Sequence, residues 1–126
     1  MDTNTLLFFD GHLDALPLFE ALAQRICAEI DGVSVQAKKS QISFFNRHMF
    51  ACVSFLRVRK KADLPSPYLV LTFGLGRRVL SPRIARTAEP YPGRWTHHVV
   101  LATPAEIDDT LMAWLHEAAA FSASKR

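Results

Sequence analysis

An apolar stripe with the three- and four-residue spacing of an α-helix begins shortly after residue 14. Asp14 is a suitable capping residue for its start, and Asp31-Gly32 is a typical helix end. The pattern therefore predicts an N-terminal helix that packs one face on the core. The stripe consists of Leu16, Phe19, Leu22, Ala23, Ile26, Cys27 and Ile30.

A second helical stripe occupies the C-terminal part of the chain. Thr103 and Glu106 have the spacing of a capping box, and Pro104 stands at the first helical position. The helix should end near Phe121, which leaves residues 122–126 as a frayed tail. The stripe consists of Ile107, Leu111, Trp114, Leu115 and Ala118.

Between these helices the apolar residues mostly alternate with polar ones, as in β-strands. Their order predicts an α+β fold, with a mostly antiparallel sheet of about five strands and the N- and C-terminal helices packed on one face. Residues 1–126 are predicted to form a single domain with its core at about 14–121. The predicted strands are 33–37, 41–45, 49–58, 68–73 and 94–102, with a short proline-led helix at 82–87 and a turn at 89–93.

Strand alternation assigns the strand residues to two sheet faces. The first face is nearly all apolar and should meet the helices, since each large side chain buried there stabilises the fold by roughly 1.5–3 kcal/mol. The second face mixes aromatic, hydroxyl and basic side chains, so that it could form a pocket or an interface. The first face holds Ile42, Phe44, Ala51, Val53, Phe55, Leu69, Leu71, Phe73, Trp95, His97, Val99 and Leu101. The second face holds Gln41, Ser43, Phe45, Phe50, Cys52, Ser54, Tyr68, Val70, Thr72, Arg94, Thr96 and His98.

Composition narrows the class of protein. Hydrophobic residues make up 49% of the chain and charged residues 21%, which argues against a disordered protein. No apolar run reaches the roughly 20 residues of a membrane-spanning helix, and the first residues lack the positive start of a signal peptide. A cytoplasmic location without a membrane partner is therefore expected. The cysteines Cys27 and Cys52 are too few for a disulfide framework and are predicted to be buried free thiols.

Charge is sorted along the chain. Residues 36–98 contain twelve Lys or Arg and only two acidic residues, Asp63 and Glu89. The flanking segments contain the other three basic residues and ten acidic ones. A basic middle between acidic ends predicts that the middle faces something negatively charged.

Basic residues near the predicted strand ends indicate where an anion could bind. Residues 74–76 are predicted to form a flexible, glycine-rich turn before Arg77 and Arg78. The free backbone N–H groups of such a turn and two guanidinium groups suit a phosphate or carboxylate. A dinucleotide fingerprint is incomplete, because position 79 is Val79 rather than glycine. The predicted ligand contacts are Lys39, Arg77, Arg78, Arg94 and His98, with Phe45 and Tyr68 as apolar walls.

A second basic run lies at the end of the third predicted strand. Its members are Arg57, Arg59, Lys60 and Lys61. Positive charges at a strand edge prevent edge-to-edge aggregation, and this role suffices to explain the run. Contact with a polyanion is the alternative.

The sequence favours a binding module over an enzyme. No Cys or His pair has zinc-site spacing, and adjacent His97 and His98 point to opposite faces, so that neither a metal nor another cofactor is expected. The hypothesised ligand is a phosphorylated small molecule, a nucleic acid or an acidic protein surface. One rival hypothesis is an enzyme that uses Cys52 and His98, which share the second face. The other is a self-association module whose second face forms a homodimer interface.

Three motifs, at residues 39–44, 92–99 and 105–109, together resemble a bacterial family known only as domain of unknown function 5655. The likeness extends from about residue 16 to residue 120. It implies a small α+β domain in bacteria, found alone or attached to other proteins, some of them labelled as predicted transport proteins. It implies no agreed activity and therefore transfers no catalytic residue. The basic residues at the matching motif positions are Lys39, Arg94, His97 and His98.

Overall fold

Residues 2–125 are described by a computed structural model. Within that range the chain forms three α-helices and six β-strands. In chain order these are α1 (Thr3–Phe8), α2 (Leu16–Glu29), β1 (Ser34–Ala37), β2 (Ile42–Phe45), β3 (Met49–Ser54), β4 (Leu69–Leu75), β5 (Ile84–Tyr91), β6 (Arg94–Leu101) and α3 (Asp109–Ser124). Short 3-10 turns lie at Leu13–Ala15, Lys61–Asp63 and Pro104–Glu106.

The strands form one sheet in the order β1-β2-β3-β4-β6-β5, and all neighbouring strands are antiparallel. Both long helices pack on the first face. The ring of Phe19 in α2 lies 6.3 Å from that of Phe44, and the ring of Trp114 in α3 lies 5.9 Å from that of Phe73. The predicted α+β fold is confirmed, with six strands instead of about five.

The additional strand is β5, where the sequence predicted a short helix at 82–87. That prediction was wrong. The Ser81-Pro82 pair does begin a turn, in which the N–H of Ile84 donates to the carbonyl of Ser81 at 3.1 Å. The chain then pairs with β6, and hydrogen bonding along a whole strand outweighs one local helix-start signal. The predicted turn at 89–93 shrinks to residues 92 and 93, where Gly93 supplies a positive φ of 75°.

The start of the C-terminal helix is also more elaborate than predicted. The capping box of Thr103 and Glu106 is present, but it opens the 3-10 turn. The α-helix itself begins at Asp109, and Asp108 caps it by accepting the N–H of Leu111 at 3.0 Å. The predicted helix is therefore confirmed, with its α-helical start moved a few residues along the chain.

The end of α3 extends beyond the predicted boundary at residue 121. Residues 122–124 are helical rather than frayed, and residue 126 lies outside the described part of the chain. Ser122 is buried, and its hydroxyl donates to the Oδ1 of Asn46 at 2.7 Å. Since Asn46 also donates to the carbonyl of Ala119 at 2.8 Å, the loop between β2 and β3 fastens the end of α3 to the sheet.

Helix α1 lies before the predicted N-terminal limit of the core. Asp2 caps it by accepting the N–H of Thr5 at 2.7 Å. Phe8 and Phe9 are both buried in the hydrophobic core. The core therefore begins well before residue 14.

The two cysteines differ in their exposure. Cys52 is buried, as predicted, whereas Cys27 is exposed, which corrects the prediction of two buried thiols. Cys27 lies on the solvent side of α2, because the buried stripe of this helix is made by Leu18, Phe19, Leu22 and Ile26.

His97 is fully buried beneath the helices. Its Nε2 accepts the N–H of Val79 at 3.0 Å, and its ring stacks on Phe73 with the centroids 5.1 Å apart. Burial lowers the pKa of His97 below its ordinary value of 6.5, because the imidazolium loses its hydration. The folded protein thus holds His97 as the neutral imidazole at neutral pH.

We expect the free energy of unfolding to fall as the pH drops below about 6.5, because the unfolded chain then binds a proton that folded His97 resists. The contribution of neutral His97 to stability is fully present above the ordinary pKa of 6.5. It is lost as the pH falls towards the lowered pKa of His97 in the folded protein. Denaturant unfolding between about pH 8 and pH 5 measures this slope. The variant His97→Gln keeps an acceptor for Val79 but cannot titrate, so its slope should be shallower. An equal slope in both proteins would contradict this account.

Candidate functional site

A row of side chains crosses the second face of the sheet in register. Ser43 on β2 pairs with Cys52 on β3, Cys52 with Thr72 on β4, Thr72 with His98 on β6, and His98 with Arg86 on β5. We call these five residues the polar row. Because neighbouring residues on a strand point to opposite sides, the register that buries the apolar first face sets this row on the opposite surface.

A cavity of about 620 Å³, termed the main cavity, lies over the middle of the polar row. Its floor is formed by three strands, and its walls come from α1 with the following turn, from the β1–β2 connection and from the end of β3 with the residues that follow it. The floor residues are Cys52, Thr72 and His98. The walls are Leu7, Phe8, Asp10, His12, Lys39, Ser40, Gln41, Ser54, Phe55 and Leu56.

The β1–β2 connection is a tight turn that presents a cation to the main cavity. The N–H of Lys38 donates to the carbonyl of Gln41 at 2.9 Å, which leaves Lys39 and Ser40 at the tip. The side-chain amide of Gln41 donates to the hydroxyl of Ser43 at 2.8 Å. This bond ties the turn to the end of the polar row.

A second wall is held by aromatic packing. The ring of His12 stacks on Phe55 with centroids 3.9 Å apart, and the ring of Phe8 stacks on Phe55 at 4.9 Å. The hydroxyl of Tyr68 donates to the carbonyl of Phe55 at 3.2 Å, and its ring meets Phe55 edge-on. Phe55 thus fixes α1 and its following turn against the end of the sheet.

One hydrogen bond links two of the floor residues. The Oγ1 of Thr72 lies 2.8 Å from the Nδ1 of His98. Burial raises the pKa of the Cys52 thiol, because the thiolate would lose its hydration. Burial and, less strongly, the positive charge of Arg86 lower the pKa of His98 below 6.5. Both groups are therefore uncharged at neutral pH, and the floor is a neutral hydrogen-bonding surface.

Two of the predicted ligand contacts, Lys39 and His98, meet in the main cavity. Tyr68 lines an adjoining cavity of about 400 Å³, termed the second cavity. Arg94 lies elsewhere, at the start of β6, where its guanidinium carbon is 5.9 Å from the ring centroid of Tyr91.

The remaining predicted contacts do not line the main cavity in the described part of the chain. Arg77 forms a paired salt bridge with Glu117 of α3, with N–O distances of 2.8 and 2.9 Å. Arg78 lies over the ring of Trp95 at 5.8 Å. Phe45 is half-buried at the end of β2.

Sequence reasoning missed the contribution of α1 and its turn to the site, above all Asp10 and His12. The signal was present as Asp2, a capping residue, followed by the apolar run at residues 6–9. A six-residue helix contains fewer than two turns, so its helical spacing does not repeat and its pattern was not recognisable. Strand alternation assigned Thr72 to the correct face, but Thr72 was not among the predicted ligand contacts.

The proposed nucleophile pair of Cys52 and His98 is separated by a strand. β4 runs between β3 and β6, and Thr72 stands between the two side chains. Adjacent strands are about 4.8 Å apart, so the two backbones are roughly 10 Å apart. His98 bonds to the hydroxyl of Thr72 instead of the thiol.

Two further features are absent from residues 2–125. No three His, Cys, Asp or Glu side chains in this range come together to hold a metal ion. No helix in the same range is long and apolar enough to cross a bilayer.

The fold defines a small α+β domain built on a six-stranded antiparallel sheet. The chain belongs to the family described as Domain of unknown function (DUF5655), which matches residues 7–122. This match confirms the family resemblance seen in the three motifs. Neither the curated proteins nor the solved structures contain a match to this chain.

The two cysteines should differ strongly in reactivity, because the thiolate is the reactive form. With Ellman's reagent near neutral pH, we expect one thiol per folded chain to react fast and the second to react only in denaturant. The fast thiol should disappear in Cys27→Ser and persist in Cys52→Ser. Rapid labelling of Cys52 in the folded protein would instead support the rival enzyme hypothesis.

Proposed function

We propose that this protein is a binding module for a small anionic molecule, which it holds in the main cavity. The observation that carries the proposal is the convergence of Lys39 and His98, distant in sequence, on one cavity with a preformed floor. A concave site of several hundred Å³ suits a small molecule. A nucleic acid or an acidic protein surface would need a broader contact area.

The side chains indicate how such a ligand would be held. The ammonium group of Lys39 attracts a phosphate or carboxylate group at the rim of the cavity. Thr72 and His98 offer hydrogen bonds from the floor, and the carboxylate of Asp10 accepts bonds from ligand hydroxyl or amino groups. Leu7 and other apolar side chains cover the body of the ligand. This set favours a phosphorylated molecule that also bears hydroxyl groups.

Binding is a better account of the cavity than catalysis. The thiol of Cys52 is kept protonated by burial, and His98 is too far from it to remove the proton directly. A neutral floor that is already hydrogen-bonded can recognise a ligand but contains no activated nucleophile. In this proposal the domain acts by holding its ligand.

The other predicted cations act at longer range in this proposal. Arg77, Arg78 and Arg94 are exposed, and they add to the positive potential of the middle segment. The exposed free thiol of Cys27 supports the predicted cytoplasmic location, since free surface thiols persist in reducing compartments.

The role of Lys39 can be tested with 8-anilinonaphthalene-1-sulfonate (ANS), an aromatic anion whose fluorescence rises on binding. We expect Lys39→Glu to weaken ANS binding by roughly three- to tenfold, because reversal replaces an attraction with a repulsion at a solvent-exposed site. Fluorescence titration at low salt gives the dissociation constant.

The neighbouring lysine provides the matched control. Lys38 is also exposed but does not line the main cavity, so Lys38→Glu should leave the affinity within about twofold. The uncharged analogue N-phenyl-1-naphthylamine should bind all three proteins alike. Equal weakening by both variants would show that only the overall charge matters, which would refute a specific role for Lys39.

The affinity for ANS should rise as the pH is lowered from about 7.5 to about 5.5. His98 has a lowered pKa and is neutral in the free protein, so an anion bound beside it favours uptake of a proton. The sulfonate stays ionised throughout, and circular dichroism checks that the protein remains folded. The variant His98→Asn should bind with an affinity that changes little with pH. The same rise in that variant would exclude His98 as its cause.

A further inference from the structure

The second cavity adjoins the main cavity at His12, which lines both. It lies between the turn after α1 and the connection from β3 to β4, and its volume is about 400 Å³. No pattern in the sequence indicated this cavity. Its lining residues are Gly11, His12, Asp14, Arg57, Lys61, Leu64, Pro65, Ser66, Pro67 and Tyr68.

Only two of the four residues in the second basic run line this cavity. Arg57 and Lys61 line it, whereas Arg59 and Lys60 are exposed and do not line either cavity within residues 2–125. The explanation of the run as edge-strand protection was wrong, because β3 ends at Ser54 and pairs with a neighbour on each side. The run instead belongs to the β3–β4 connection, where edge protection is not needed.

Aromatic rings form the boundary between the two cavities. Phe55 lines the main cavity, and Tyr68, in edge contact with it at 5.7 Å, lines the second. His12 stacks on Phe55 and also meets Tyr68 edge-on at 6.4 Å. The two cavities thus share an aromatic boundary, with one cationic end at Lys39 and another at Arg57 and Lys61.

We propose that the two cavities form one elongated site for a ligand with an anionic group at each end and a flat or apolar centre. One anionic group lies at Lys39 and the other between Arg57 and Lys61, while the centre contacts the rings at the shared boundary. This inference rests on the proposed function of the main cavity and extends it. Each cavity also contains one carboxylate, Asp10 or Asp14, which can accept hydrogen bonds from ligand hydroxyl groups.

The number of anionic groups can be varied with a pair of related probes. ANS carries one sulfonate, and its covalent dimer bis-ANS carries two sulfonates on a larger aromatic body. We expect the double variant Arg57→Glu/Lys61→Glu to weaken bis-ANS binding at least about fivefold and ANS binding by less than about twofold. Fluorescence titrations at low salt, with unfolding curves to confirm the fold, provide the comparison.

The chain offers a matched control of the same charge in the same connection. Arg59→Glu/Lys60→Glu should leave the affinity for bis-ANS within about twofold of the original, since neither side chain lines the second cavity. The milder double variant Arg57→Gln/Lys61→Gln serves if charge reversal disturbs the fold. This variant should also lower the affinity for bis-ANS, but by a smaller factor.

Failure of this inference can be told from failure of the proposed function. If Lys39→Glu weakens both probes but loss of Arg57 and Lys61 leaves bis-ANS unchanged, the main cavity binds alone and the elongated site is refuted. The elongated site is also refuted if the control variant weakens bis-ANS as much. If Lys39→Glu changes neither probe, the proposed function itself fails, and the inference fails with it.

Discussion

Pairing between β4 and β6 determines which side chains reach each face of the sheet. Thr72 pairs with His98 and Phe73 with His97, so two adjacent histidines have opposite surroundings. One is buried beneath the helices as a neutral acceptor, and the other forms part of the floor of the main cavity. A register shift of one residue would exchange the side chains of the two sheet faces and place the polar row against α3. The apolar first face opposes that slip, and in doing so it fixes the site.

The sorting of charge along the chain has a partly internal explanation. Arg83 from the basic middle donates to the carboxylate of Asp108 at 2.8 and 3.0 Å, and Arg77 pairs with Glu117. The basic segment and the acidic C-terminal flank thus meet within one molecule. Such exposed or half-exposed pairs stabilise the fold only modestly. Charge sorting alone is therefore weak evidence for a partner, and the main cavity around Lys39 carries the stronger argument.

The sequence permitted the side of the sheet to be predicted, but not the shape of the site. Alternation alone assigned His98 to the second face, because the two-residue period holds along any strand. The meeting of His98 with Lys39 depends on strand order and on the β1–β2 turn, which no local pattern encodes. The position of His12 depends on α1, whose apolar run is too short to reveal its period. At Pro82 a local signal for a helix start produced only a turn, because the residues that follow it pair with β6.

A polar floor on a buried sheet surface would be costly if its groups lacked partners. Thr72 and His98 bond to each other, and Gln41 bonds to Ser43 at the end of the polar row, so the row keeps its geometry without help from a ligand. The walls have a different origin, since they come from α1 and from connections outside the sheet. Changes in those walls can therefore alter which molecule is held while the register of the sheet, and with it the floor, stays the same. The sheet thus supplies a constant hydrogen-bonding surface, and the segments around Lys39 and Arg57 determine what it recognises.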